Sequence, residues 1–262
     1  MPTTPPAFLI LDEVLATAEE GQNLTLDGEE GRHAAKVARI GVGEQILLTD
    51  APGRQVLAEV TAAHKEALDL RLLAAPTPAV QRLPLLTLVQ ALATGGRDEQ
   101  AIESATELGV DRIVPWIAQR SVSVWRGEKL AKGRAKWEST ARAAVKQCRR
   151  PGIPVVAGAV NTSALAALVD EEVRAGALVI VLHEQESVAL MSLAPQLREA
   201  SADGVEEIIV VVGPEGGIAA AELDQLRDAG ARTVRLGPEV LRSSTAGPSA
   251  LAVLSALVGR WG

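Results

Sequence analysis

The sequence predicts an α/β protein in which a small N-terminal β-barrel precedes a larger domain built on a mostly parallel sheet. Three observations predict it. Short apolar runs separated by turn residues fill residues 1–75, continuous apolar runs alternate with helical stretches from Leu85 onward, and a proline-rich segment lies between. Strands that alternate with helices make a parallel sheet covered on both faces.

In the first region, Glu44–Asp50 reads as a strand, residues 51–54 as a turn, residues 55–61 as a second strand and residues 68–73 as a third. Glu30–Val37 reads as one short helix. Residues 74–84 hold three prolines in eleven positions, which marks a linker. The expected domains are therefore 1–75, a linker at 76–82, and 83–262. Leu85–Ala91 is nearly all apolar, as a strand buried on both faces should be. Glu99–Leu108 is helical and stops at Gly109. Arg112–Ile117 is a strand, and Lys129–Cys148 is a long helix ended by Pro151 and Gly152. Leu178–Leu182 and Glu207–Val212 are further strands. Ala220–Ala229 is a helix closed by Gly230, followed by a strand over 233–236. The last element is an apolar, alanine-rich helix from about Pro248 to Val258. A helix apolar nearly all round needs cover on every face.

Composition bounds the chemistry. The chain has 262 residues, 47% of them hydrophobic, enough for a real core. Aromatics are 2%, so that core is aliphatic. A single Cys and three dispersed His point away from disulfides and metal. The N-terminus lacks a basic, apolar leader, and no apolar run approaches membrane-spanning length, so a cytoplasmic protein is expected. Net charge is −7, yet residues 120–150 carry ten basic and two acidic side chains. That window is +8 (10 − 2) and the rest of the chain is −15 (−7 − 8). A basic stripe on an acidic protein is a footprint for phosphate or a solvated helix face. Acidic partners at i,i+4 are mostly missing, which argues against salt-bridge lacing.

Two loops follow buried strands. Gly213-Pro214-Glu215-Gly216-Gly217 lets backbone approach a ligand closely and leads into a helix whose first N–H groups are free. It is neither a P-loop nor a dinucleotide fingerprint. The second loop, Leu236 to Gly247, joins a Gly237-Pro238 corner, Arg242 and the hydroxyls of Ser243, Ser244 and Thr245. Capping explains one hydroxyl, not three and an arginine. A third strand ends in His183 and Glu184. Ligands of open α/β sheets bind at the carboxyl ends of strands, so the three loops predict one pocket. His183 reads as a pocket wall more readily than as a lone base.

The run Val212-Gly-Pro-Glu-Gly-Gly, followed after a helix by Leu236-Gly-Pro-Glu-Val-Leu-Arg, resembles the RsmE family. Ala105 to Pro115, Gln119 to Val122, Ala144 to Arg150 and His33 to Gly43 extend the similarity over nearly the whole chain. These are SPOUT-class methyltransferases that use S-adenosylmethionine to methylate N3 of a uridine in 16S ribosomal RNA. The resemblance implies a PUA-like barrel, a trefoil knot in the second domain, a homodimer, and a target within the 30S subunit. Two positions depart from the usual pattern. Glu239 stands where many members have Arg, and Ser243-Ser244-Thr245 where they have Thr-Glu-Thr. The base that takes the N3 proton is therefore to be sought away from position 244.

On this reading Arg242 supplies the cation for charge developing on the uracil oxygens, and Glu215 positions the substrate or takes its proton. The cofactor falls to Leu182, His183, Glu184, Gly213, Pro214, Gly216, Gly217, Leu236, Gly237, Val240, Leu241, Ser243, Thr245 and Ala246. RNA falls to Arg32, Lys36 and Arg39 in the barrel and to Arg142, Lys146, Arg149 and Arg150 in the stripe. The transfer needs no metal. One rival is a non-catalytic RNA-binding assembly factor, which leaves the two glycine loops unexplained. Another is a phosphotransferase, which needs a lysine that the sequence lacks between Leu182 and Gly262.

Overall fold

The computed structural model describes residues 5–10, 13–78, 80, 82–203 and 205–261, without the side chains of 199–203. Positions 79 and 81 of the expected linker thus lie outside the described residues. The chain forms two compact units, Met1–Gln81 with Val145–Ile153, and Arg82–Ala144 with Pro154–Gly262. The end of the long helix, which the sequence assigns to the second domain, is built into the first unit.

The first unit carries strands β1 (Ala7–Ile10), β2 (Asn23–Leu26), β3 (Gln45–Asp50), β4 (Gln55–Ala63) and β5 (Leu68–Leu72). They form one sheet in the order β1-β3-β4-β5-β2. β1 runs parallel to β3, and every other pair is antiparallel. Along β4, Val56, Ala58 and Val60 turn into an aliphatic core with Ile46, Leu48, Leu68, Leu70 and Leu72. Buried Asp50 closes the β3–β4 turn by accepting the N–H groups of Gly53 and Arg54 while pairing with the Arg54 guanidinium. The expected short helix is α1 (Gly28–Arg32), running directly into a π-helical turn at His33–Val37.

The second unit holds β6 (Leu85–Ala91), β7 (Arg112–Ile117), β8 (Val155–Val156), β9 (Val160–Asn161), β10 (Leu178–Leu182), β11 (Glu207–Val212) and β12 (Arg232–Val234). The order is β12-β10-β11-β6-β7-β8, with β9 also on β7, and all pairs are parallel. The helices are α2 (Arg97–Glu107), α3 (Glu128–Cys148), α4 (Thr162–Arg174), α5 (Ala194–Asp203), α6 (Ala220–Asp228) and α7 (Ser243–Leu257). α4 and α6 pack together over one face of the sheet. α7 lies against β6 and β11 on the other, flanked by α2 and α5. Gly247 is the close-approach point, since a Cβ there would come within 2.8 Å of Leu88 Cδ1. No described helix is long and apolar enough to cross a membrane.

The last helix starts five residues before Pro248, so Ser243, Ser244 and Thr245 form its first turn rather than a loop. Arg242 is the N-cap through its carbonyl, which accepts the N–H groups of Thr245 and Ala246. None of the three hydroxyls caps the helix. Register decides where the site lies. Leu182 pairs with both Val212 and Val234, so β10, β11 and β12 end level and release their loops side by side.

Candidate active site

The three level strand ends open into one cavity of about 850 Å³. Its wall includes Leu182, His183, Glu184, Gly213, Pro214, Glu215, Gly216, Gly217, Leu236, Gly237, Val240, Leu241, Arg242, Ser243 and Ala246. Thr245 does not join them; it is exposed on the outer side of the first turn of α7. The loop after β11 can take its shape only with glycine. A Cβ at Gly213 would lie 2.6 Å from Ile218 Cγ1, and Gly217 has φ +73° with its N–H bonded to Pro214 O. Two polar atoms in the wall, Ser243 Oγ and His183 Nδ1, are buried without a partner. Buried polar groups are normally satisfied, so these two call for a polar ligand.

Sequence reasoning missed Arg97, Arg120 and Arg235, which also line the cavity. The available signal was position. Arg97 and Arg120 follow β6 and β7, whose carboxyl ends share the same side of the parallel sheet.

Glu215 is an anchor rather than a base. Its Oε1 accepts the Thr94 N–H at 3.0 Å and pairs with Arg97 at 2.9 Å. Partial burial pushes its carboxyl up, but the Thr94 N–H, the loop backbone and Arg97 outweigh that and hold it below the usual carboxylate range. A carboxylate so stabilised is a poor proton acceptor. Because its folded pKa is depressed, Glu215 contributes stability above the unfolded pKa, and the contribution disappears as pH falls through the folded value. We expect Glu215→Gln to lower the midpoint of thermal unfolding at pH 7 and to converge with wild type below about pH 4. A difference independent of pH would remove ionisation from the anchor.

A second carboxylate holds the loop from behind. Glu222, 4% exposed, accepts Gln119 N–H (2.8 Å) and Thr162 Oγ1–H (2.5 Å) on Oε1 and Ala219 N–H (3.1 Å) on Oε2. Thr162 Oγ1 in turn accepts the indole N–H of Trp116. Next to Gln119, Arg120 donates to Gly216 O at 3.3 Å. The ends of β7, α4 and α6 thus converge on one acceptor that backs the glycine loop.

The expected RNA contacts are less free than the sequence suggests. Lys36 pairs with Glu66, with Arg32 at 3.9 Å from the same carboxylate. The Lys36 ammonium holds the Glu66 carboxyl below its ordinary range. Lys146 pairs with Glu30, whose other oxygen accepts the Leu9 N–H, so this lysine is part of the first unit's own framework. Lacing of the stripe, argued against above, is present: Lys132 pairs with Glu128, Arg134 with Glu138, and Lys136 with Glu99. Arg39 and Arg149 are exposed and both sit at φ +56°. Arg142 is half-buried with Nε unbonded, and Arg150 is half-buried.

A family model described as an RNA methyltransferase domain matches residues 81–255, and an RNA methyltransferase PUA domain matches residues 26–73. Fold and site together therefore define an RNA methyltransferase with an attached PUA-like sheet. The ribosomal RNA small subunit methyltransferase E of Mycobacterium bovis is 44% identical over 244 residues, covering 93% of this chain and 90% of its own. That of Bacillus subtilis is 28% identical, covering 90% and 91%. The chain belongs to this family of ribosomal RNA small subunit methyltransferases E. A solved structure of the Neisseria gonorrhoeae member, bound to S-adenosylmethionine, superposes with TM-score 0.80 at 25% identity over 97% of this chain and 98% of its own. A putative methyltransferase of Legionella pneumophila, also in complex with S-adenosylmethionine, gives 0.78 at 28% identity over 97% and 98%. The SPOUT-type α/β fold expected from the resemblance is the one present.

Proposed function

We propose that this chain transfers a methyl group from S-adenosylmethionine to N3 of a uridine in 16S ribosomal RNA, within the 30S subunit and in the cytoplasm where that particle is made. The observation that carries the reading is the cavity at three level strand ends, with two unbonded polar atoms in its wall. The residues suit the cofactor. Ser243 Oγ and His183 Nδ1 offer it hydrogen bonds, Gly213, Gly216 and Gly217 admit it close to backbone, and Leu182, Val240 and Ala246 give apolar walls.

When bound, S-adenosylmethionine supplies a methyl group already activated on a sulfonium. The protein must then orient the base and help N3 lose its proton. Loss of that proton spreads negative charge over the flanking carbonyl oxygens. Arg242 is exposed at the cavity, makes no ion pair among the described residues, and meets that charge. Glu215 and Glu222 hold the loop still while this happens. Arg32, Lys36, Arg39, Arg142, Arg149 and Arg150 serve as phosphate contacts. A dimer suits the apolar groups left at the surface beside the cavity, Val240 (74% exposed) and Leu241 (38% exposed). The knot suits the chain path, which returns from β12 at one edge past β10 to seat α7 on β11 and β6.

Calorimetry tests the reading. S-adenosylmethionine should bind and ATP should not, and Gly213→Val, whose side chain collides with Ile218, should lower cofactor affinity at least tenfold. Binding of ATP without S-adenosylmethionine would overturn the proposal. Mapping the methylated nucleotide in a deletion strain tests the substrate.

A further inference from the structure

A second cavity, of about 390 Å³, adjoins the first and takes no part in the chemistry above. Thr94 lines it, and the Thr94 N–H and hydroxyl both donate to Glu215 of the first cavity, so the two share a wall. One side is the Trp125 ring. Gly133 makes room for that ring against α3, since a Cβ at Gly133 would lie 2.3 Å from Trp125 Cε2. Fully buried Trp137 meets it edge-on, at 5.2 Å between centroids and 72° between planes. The indole is thus fixed while half-exposed to the cavity. The polar wall consists of Asp98, 5% exposed, with the Ser123 hydroxyl, the Lys136 ammonium and the backbone of Gly95 and Gly96 around it. The Gly95 and Gly96 N–H groups make no hydrogen bond among the described residues.

That inventory matches one edge of one base. Uracil presents a donor, N3–H, between two carbonyl acceptors. A carboxylate flanked by N–H, O–H and ammonium donors is its complement. Cytosine offers a bare lone pair at N3 and would face the carboxylate with repulsion. We propose that this cavity receives the unstacked uracil of the target nucleotide, with Trp125 as its stacking surface and the Asp98 carboxylate accepting the N3 proton. The proposal rests on the reading of the first cavity as the methyl-donor site.

The proton step balances without another reactant. The N3–H bond breaks, its electron pair stays on N3, and the proton passes to an Asp98 oxygen, later returning to water. Burial first, and then the charge of Glu99, push Asp98 up to about 6, near the pH at which it must work. The charged groups facing it are Glu99 on its own helix and Lys136 of α3, which pairs with Glu99.

The test reads three quantities: quenching of tryptophan fluorescence by uridine and cytidine monophosphates, kcat and KM on 30S particles, and cofactor affinity by calorimetry. Uridine monophosphate should quench wild type saturably and more tightly than cytidine monophosphate. Trp125→Leu should abolish the quench and raise KM about tenfold, with Trp125→Phe restoring most of KM. Asp98→Asn should lower kcat about a hundredfold and remove the rise of kcat/KM through pH 6. Cofactor affinity should stay at the wild-type value in all three, which also reports that each is folded. Normal kcat in Asp98→Asn together with normal KM in Trp125→Leu overturns the subsite, as does a wild type that binds S-adenosylmethionine but discriminates neither nucleotide. A wild type that does not bind S-adenosylmethionine overturns the first-cavity reading instead.

Discussion

Replacing Glu222 by Ala should destabilise the protein by about 3 kcal/mol, because one deletion strands three donors that only this carboxylate accepts. The Gln119 and Ala219 N–H groups are backbone donors fixed by β7 and α6, so they cannot turn to water without moving those elements. Glu222→Gln should recover only part of the loss. Its amide has one acceptor oxygen, and its NH2 group would face an N–H group already pointing inward. Denaturant unfolding measures both variants. The effect should reach the cofactor as well, since Gln119 precedes Arg120, which steadies Gly216. A loss of stability with unchanged affinity for S-adenosylmethionine would show that the acceptor supports the fold alone.

The second large effect is chemical. Arg242→Ala should reduce kcat/KM by roughly a hundredfold to a thousandfold, the scale for deleting one charge-stabilising donor from a reacting centre. Cofactor affinity should change less than tenfold, because the guanidinium is assigned to charge that exists only as N3 loses its proton. Arg242→Lys should recover little, since a point charge cannot reach two oxygens as a planar fork does. Single-turnover methylation of 30S particles separates this from product release. Equal losses in cofactor binding and rate would assign Arg242 to the methyl donor rather than to the base.

The sheet strands of the second unit were legible because parallel strands buried on both faces read as unbroken apolar runs. β6, β7, β10 and β11 fall where Leu85, Arg112, Leu178 and Glu207 begin such runs. β2 was not legible: only Leu24 and Leu26 turn inward, too few to stand out. α4 did carry a start signal, Asn161 capping the Ala164 N–H, and a stop at Gly176, which sequence analysis left unread. The start of α7 was hidden by Pro248, which marks a helix beginning in most contexts but sits here inside one. In the site, the glycine loops announced themselves by composition. Arg97, Arg120 and the buried acceptor Glu222 did not, because their roles depend on which strand ends lie together, and strand order is a property of the folded chain. The pairing of Lys146 with Glu30 was hidden for the same reason, being more than a hundred positions apart.

The membership of Val145–Ile153 in the first unit means that no single cut yields two autonomous pieces. A fragment ending at residue 81 would carry Glu30 without Lys146, and Ala51 O without the Ile153 N–H that it accepts. It would also lose Gly152, whose Cα hydrogens face Ala51 and Gly53 where any side chain would crowd them. The complementary fragment would keep a helix whose last turn had lost its partners. Truncation designed on the proline-rich segment should therefore give two insoluble products, whereas a chain nicked there should remain assembled, held by a loan of nine residues from one unit to the other.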